Sequence, residues 1–134
     1  MITSSITYLG ELRTEGTHLS SQQTIITDAP IDNKGKGEAF SPTDLLASSL
    51  ASCMLTIVGI VAERDGFTIN GTKAEVTKIM ASDPRRVSEI QICFFFPDNQ
   101  YTPKEKQIIQ HAALNCPVAK SIHPEIIQKI VFNF

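Results

Sequence analysis

The chain has 134 residues, 42% hydrophobic and 19% charged, with a formal net charge of −2 and a pI near 5.9. That length suits one domain spanning residues 1–134 with a modest core. The absence of clustered Lys and Arg argues against nucleic acid as a partner. The opening "MITSSITYLGELRTEG" shows no basic stretch followed by an apolar run, so a secretory signal is not expected. A cytoplasmic location follows as the expectation. There Cys53, Cys93 and Cys116 rest as thiols, and any disulfide is more readily transient and catalytic than structural.

Residues 4–9, 12–19 and 23–28 read as short strands from their β-branched content and partial alternation. "DAPIDNKGKGEAF" (28–40) reads as a loop and lacks the glycine pattern of a phosphate cradle. A helix then starts with Ser41 as its cap, Pro42 in the first turn and Asp44 closing a capping box. It is expected to run to about Arg64 and to end at Gly66.

Residues 45–62 of this helix carry no charge for 18 positions, close to the roughly 20 that cross a membrane. Ser48, Ser49, Ser52, Thr56 and Gly59 interrupt the run and no second span follows, so a membrane is not expected. A helix apolar nearly all round is instead one buried on all sides. A domain this small rarely surrounds a helix alone, so a partner subunit is expected to help cover it.

"FTINGTKAEVTKIM" follows as a strand with an Asn-Gly turn, "ASDPRR" as a turn, and "RVSEIQICFFF" as a strong strand. Ile90, Ile92, Phe94 and Phe96 share one face of that strand, with Glu89, Gln91 and Cys93 on the other. "TPKEKQIIQHAALN" is a second capped helix with Ile108, Ile109 and Ala112 as its apolar face. "CPVAKSI" opens a short helix and "IQKIVFNF" closes the chain as a strand. Three strands, a long helix, two strands, two helices and a strand give an α+β arrangement.

The three thiols differ in their prospects. Cys116 falls at the N-cap of the short helix, where backbone N–H groups stabilise a thiolate and lower its pKa; simple packing between helices is the alternative. Cys53 lies about three turns inside its helix, where burial alone makes a thiol inert. To react it needs a cation from elsewhere, and Arg13 and His18 on the early strands are the candidates. Cys93 reads as an ordinary sheet residue. His111, Cys116 and His123 match none of the usual zinc spacings, so no metal is expected. A serine hydrolase is not indicated, since the G-x-S-x-G elbow is missing.

Two stretches, "SPTDLLASSLASC" and "NCPVAKSI", together with the order of elements along the whole chain, resemble the OsmC/Ohr family of osmotically inducible and organic hydroperoxide resistance proteins. "GKGEAFSPTDLL" is more similar to its broad OsmC-like branch. The resemblance implies an intertwined homodimer whose antiparallel sheets wrap long central helices. It implies a thiol peroxidase acting on organic hydroperoxides, with Cys53 attacking the peroxide and Cys116 resolving the product as a disulfide. No bound cofactor is implied, and a lipoyl-type or thioredoxin-type dithiol would restore both thiols. The family's peroxidases carry a glutamate directly after the motif proline, orienting an arginine toward the thiolate; Thr43 stands there in this chain. Arg13 reaching the thiol across the dimer, with His18 or Glu38 assisting, is the arrangement expected in its place. Two other functions fit the same residues: a non-catalytic dimer binding a small apolar ligand, and a thiol redox sensor.

Overall fold

The computed structural model describes residues 1–134 as two compact units, Met1–Leu46 and Ala47–Phe134. The first unit is an antiparallel three-stranded sheet of β1 (Ser4–Gly10), β2 (Arg13–His18) and β3 (Thr24–Asp28), in that order. Gly10 at φ +88°, with Glu11 and Leu12 also at positive φ, makes the tight turn between β1 and β2. The register places Ile6, Gly16 and Ile25 side by side across the three strands. The bare Cα of Gly16 makes room for its neighbour, because a Cβ there would stand 2.8 Å from Ile6 Cδ1. A single 3-10 turn, Ile31–Asn33, breaks the loop that follows.

Helix α1 (Pro42–Asp65) starts as its sequence dictates. Ser41 Oγ accepts from the Asp44 N–H at 3.0 Å, and Asp44 Oδ2 accepts from the Ser41 N–H at 3.0 Å. The box satisfies two of the donors that a helix start leaves unpaired. The end is equally explicit. Gly66 at φ +81° turns the chain, its N–H reaching Glu63 O while the Phe67 N–H reaches Ala62 O. This is a Schellman closure that a left-handed glycine permits.

The second unit packs α1 on a sheet of β4 (Lys73–Ala81), β5 (Arg86–Phe95) and β6 (Ile127–Asn133) and on helices α2 (Pro103–Leu114) and α3 (Pro117–Ser121). β4 and β5 are antiparallel, whereas β6 joins β5 in parallel. The sheet is therefore mixed where antiparallel pairing is expected throughout. α2 and α3 carry the chain back across the sheet, the kind of crossover that a parallel neighbour requires. Ile90, Ile92 and Phe94 of β5 are buried with Leu50, Met54 and Val58 of α1 and Ile109 of α2. On α2 the buried face is Ile109, Ala112 and Ala113, while Ile108 is turned partly outward.

Helix α1 is long and apolar enough to cross a membrane, with mean hydropathy 2.2 over 18 residues. Within the chain, however, Ala47, Leu50, Ala51, Met54, Val58 and Ala62 face the core. Leu46, Ser49, Ser52, Thr56 and Ile60 form an exposed stripe on the other side. The single chain thus covers one side of the helix, not all sides.

Candidate functional site

Cys53 and Cys116 come together in the second unit. Cys53 sits on α1, half-buried and packed against the core, on the border between the buried side and the exposed stripe. Cys116 is fully buried and caps α3 in extended backbone, its sulfur accepting from the Ala119 N–H at 3.4 Å. Gln128 of β6 donates to Ala119 O at 3.1 Å and so ties the capped turn to the sheet. The Cys53 thiol lies close enough to Cys116 to push the Cys116 pKa up, and both are free thiols. Residues 63 positions apart in sequence therefore share one site.

The helix-cap position of Cys116 pulls its pKa down, but burial outweighs it and the net shift is upward. Burial pushes the thiol up, and the neighbouring Cys53 thiol adds to that, against the Ala119 N–H, which pulls it down. The cap is real, but α3 has five residues, too few to build much positive potential at its start, and desolvation disfavours the thiolate.

The first unit holds the cation. Arg13 on β2 lies opposite Asp28 on β3. Its Nε donates to Asp28 Oδ1 at 2.6 Å and its Nη2 to Asp28 Oδ2 at 2.8 Å, a two-pronged pair. Nη2 also lies 3.4 Å from Glu38 Oε2, and the Glu38 backbone N–H donates to Asp28 Oδ2 at 3.1 Å. Asp28 is 1% exposed. The hydrogen bond from Arg13 holds its carboxyl below the usual range, and the pair holds the Arg13 guanidinium well above its own.

Of the residues expected to support Cys53, Arg13 and Glu38 thus form one cluster. His18 stands apart, its ring nitrogens engaging Ser21 Oγ at 2.6 Å and Ser20 Oγ at 3.3 Å in an exposed turn. Asp28 went unnoticed in the sequence. Its one signal was position, a lone acid at the end of a strand that pairs with the strand bearing Arg13. Thr43 shares a 3.2 Å hydrogen bond with Ser41 Oγ and so belongs to the helix start. Cys93 is half-buried between Glu75 and Val131 in the sheet register.

Residues 35–130 match the family model for OsmC-like proteins. The chain belongs to the OsmC-like protein family. Its fold is also that of solved OsmC/Ohr structures. A candidate osmotic stress induced and detoxification response protein from Psychrobacter arcticus is 60% identical, covering 99% of this chain and 96% of its own, with a TM-score of 0.95. An organic hydroperoxide resistance protein OsmC from Legionella pneumophila matches with a TM-score of 0.77 at 14% identity, over 100% of this chain and 98% of that one. The organic hydroperoxide resistance protein OhrB of Bacillus subtilis matches with a TM-score of 0.65 at 16% identity, over 98% of each chain. None of the curated proteins matches the chain significantly. The two low-identity likenesses speak for the OsmC-like fold alone.

Proposed function

We propose that this OsmC-like protein is a thiol peroxidase that reduces organic hydroperoxides. The observation that carries the reading is the proximity of Cys53 to Cys116 within one core cluster. Their difference in exposure assigns the roles. The half-buried Cys53 is the thiol that a peroxide can reach, while Cys116 is fully buried and held as a thiol by desolvation. The Cys53 thiolate attacks one peroxide oxygen; an S–O bond forms, the O–O bond breaks, and the departing alkoxide takes a proton to become an alcohol. The sulfenic acid so formed is attacked by Cys116, an S–S bond forms, and the hydroxyl leaves as water. An external dithiol of the lipoyl or thioredoxin type then reduces the disulfide by exchange and is itself oxidised.

The reading includes a cytoplasmic homodimer, for which the exposed stripe of α1 is the support. It also assigns Arg13, delivered by a partner subunit and held by Asp28 and Glu38, as the cation serving the Cys53 thiolate.

The test is consumption of cumene hydroperoxide with a lipoyl dithiol and then with thioredoxin. The wild type is expected to turn over and Cys53→Ser to be inactive, while Cys116→Ser stops at the sulfenic acid without forming a disulfide. Oxidation once without turnover would make the protein a redox sensor. No oxidation at all would leave a binding module.

A further inference from the structure

A groove of about 430 Å³ runs between α1 and α2, entirely within the second unit. Its size is that of a pocket for a small organic ligand. Ile57 and Val61 of α1 and Ile108 of α2 make apolar walls. Arg64, in the last turn of α1, and Lys104, in the first turn of α2, stand at one end, and no aspartate or glutamate lines the groove. That end also receives the start of α2, a twelve-residue helix whose N-terminal potential favours a negative charge. Arg64 is clasped by Asp65 at 2.9 and 3.1 Å, whereas Lys104 lies near the same carboxylate without a hydrogen bond to it, so its ammonium donors can turn to a ligand. The opposite end is lined by Asn115, the neighbour of Cys116. From Lys104 to Asn115, α2 extends about 16 Å at 1.5 Å per residue.

We propose that this groove binds an amphipathic monocarboxylate, its apolar chain between Ile57, Val61 and Ile108 and its carboxylate at Lys104. The geometry matches in both respects: a trough with apolar walls, Gln107 and His111 along its α2 side, long enough for a medium-length chain, and the permanently charged groups Arg64 and Lys104 at one end. Ile57 lies one helical turn beyond Cys53 on the same side of α1, so the chain runs toward the thiol pair and away from the charge. The groove lies beside the exposed stripe of α1, which leaves that stripe available to another helix. The proposal concerns binding and does not rest on peroxide turnover.

The test is calorimetric titration of the whole protein with decanoate and with decanol. Decanoate is expected to bind about tenfold or more tightly than decanol, as one charge-assisted contact supplies. Lys104→Glu, at an exposed position, should bring decanoate down to the level of the alcohol, and Ile108→Glu should abolish binding of both. Circular dichroism confirms that each variant is folded. Equal binding of acid and alcohol, or decanoate affinity unchanged in Lys104→Glu, overturns the proposal. So does failure of decanoate to bind, and if Ile108→Glu then alters the molecular mass in solution, a second copy of the chain is the occupant. A wild type that binds decanoate yet consumes no peroxide would refute the peroxidase reading and leave this one standing.

Discussion

The two units of the chain place their apolar residues in opposite ways. Every buried hydrophobic side chain belongs to the second unit, from Ala47 to Cys116. The buried side chains of the first unit are polar, Asp28 and Ser41, while Ile6, Tyr8 and Leu9 on β1 and Ile25 and Ile26 on β3 remain exposed. An apolar face left uncovered on these strands forgoes the stabilisation that its burial would supply. The second unit therefore closes its own core around the thiols. The first holds its charged group by hydrogen bonds and presents an apolar face for something else to cover.

The sharpest way to break this contrast is to delete one large side chain from each unit. Phe94 is 1% exposed and meets the Phe132 ring at 5.5 Å, so Phe94→Ala is expected to cost about 3–5 kcal/mol in urea unfolding. Ile25 is 49% exposed. Ile25→Ala should change the stability of an isolated chain by less than about 0.5 kcal/mol. If a second subunit covers that face, the loss is larger at high protein concentration and shrinks toward the isolated-chain value as dilution dissociates the dimer. A small loss independent of concentration would mean that the first unit stays uncovered.

A second test turns on the charged group. Asp28 is buried and Arg13 partly so, and Asp28→Asn removes the carboxylate that takes both prongs of the guanidinium, so it is expected to lower the urea midpoint at neutral pH. The pH dependence has a fixed sign. The folded-state carboxyl of Asp28 titrates below its ordinary range, chiefly because Arg13 hydrogen-bonds it. Its contribution is complete above the ordinary carboxylate range and is lost as pH falls through the depressed value. The wild type and the Asn variant should therefore converge in stability on acidification, and parallel curves would remove Asp28 from the account. Smaller still is Ser41→Ala, which deletes the acceptor of the Asp44 N–H and is expected to cost about 1 kcal/mol, measured by the same unfolding.

Local rules made the helix starts, the Gly66 stop and the inward face of β5 legible, because each depends on residues within a few positions. Cys116 as a helix cap was readable for the same reason. Its pKa was not, since the direction depends on how deeply the fold buries the sulfur. The pairing of Arg13 with Asp28 needed the β2–β3 register, and separating His18 from that cluster needed the turn at Ser20 and Ser21. Parallel entry of β6 was hidden because strand composition carries no direction. The meeting of Cys53 and Cys116 came from resemblance to a family; neither spacing nor periodicity could have brought two such distant residues together.

An effect of opposite sign tests the least covered side of α1. Gly59 is half-buried beside Ser52 and Thr56, and a Cβ built on it meets nothing within 4 Å inside the chain. For the single chain, Gly59→Ala is a gain of about 0.5–1 kcal/mol, since alanine restricts the unfolded state and favours helix. For two α1 helices packed on this stripe, the absence of a side chain is what allows close approach, and an added methyl forces them apart. Gly59→Ala is therefore expected to raise the unfolding midpoint at low protein concentration and to weaken self-association in sedimentation equilibrium. A midpoint raised equally at all concentrations, with association unchanged, would show that the helices do not meet at Gly59 and would return the stripe to solvent.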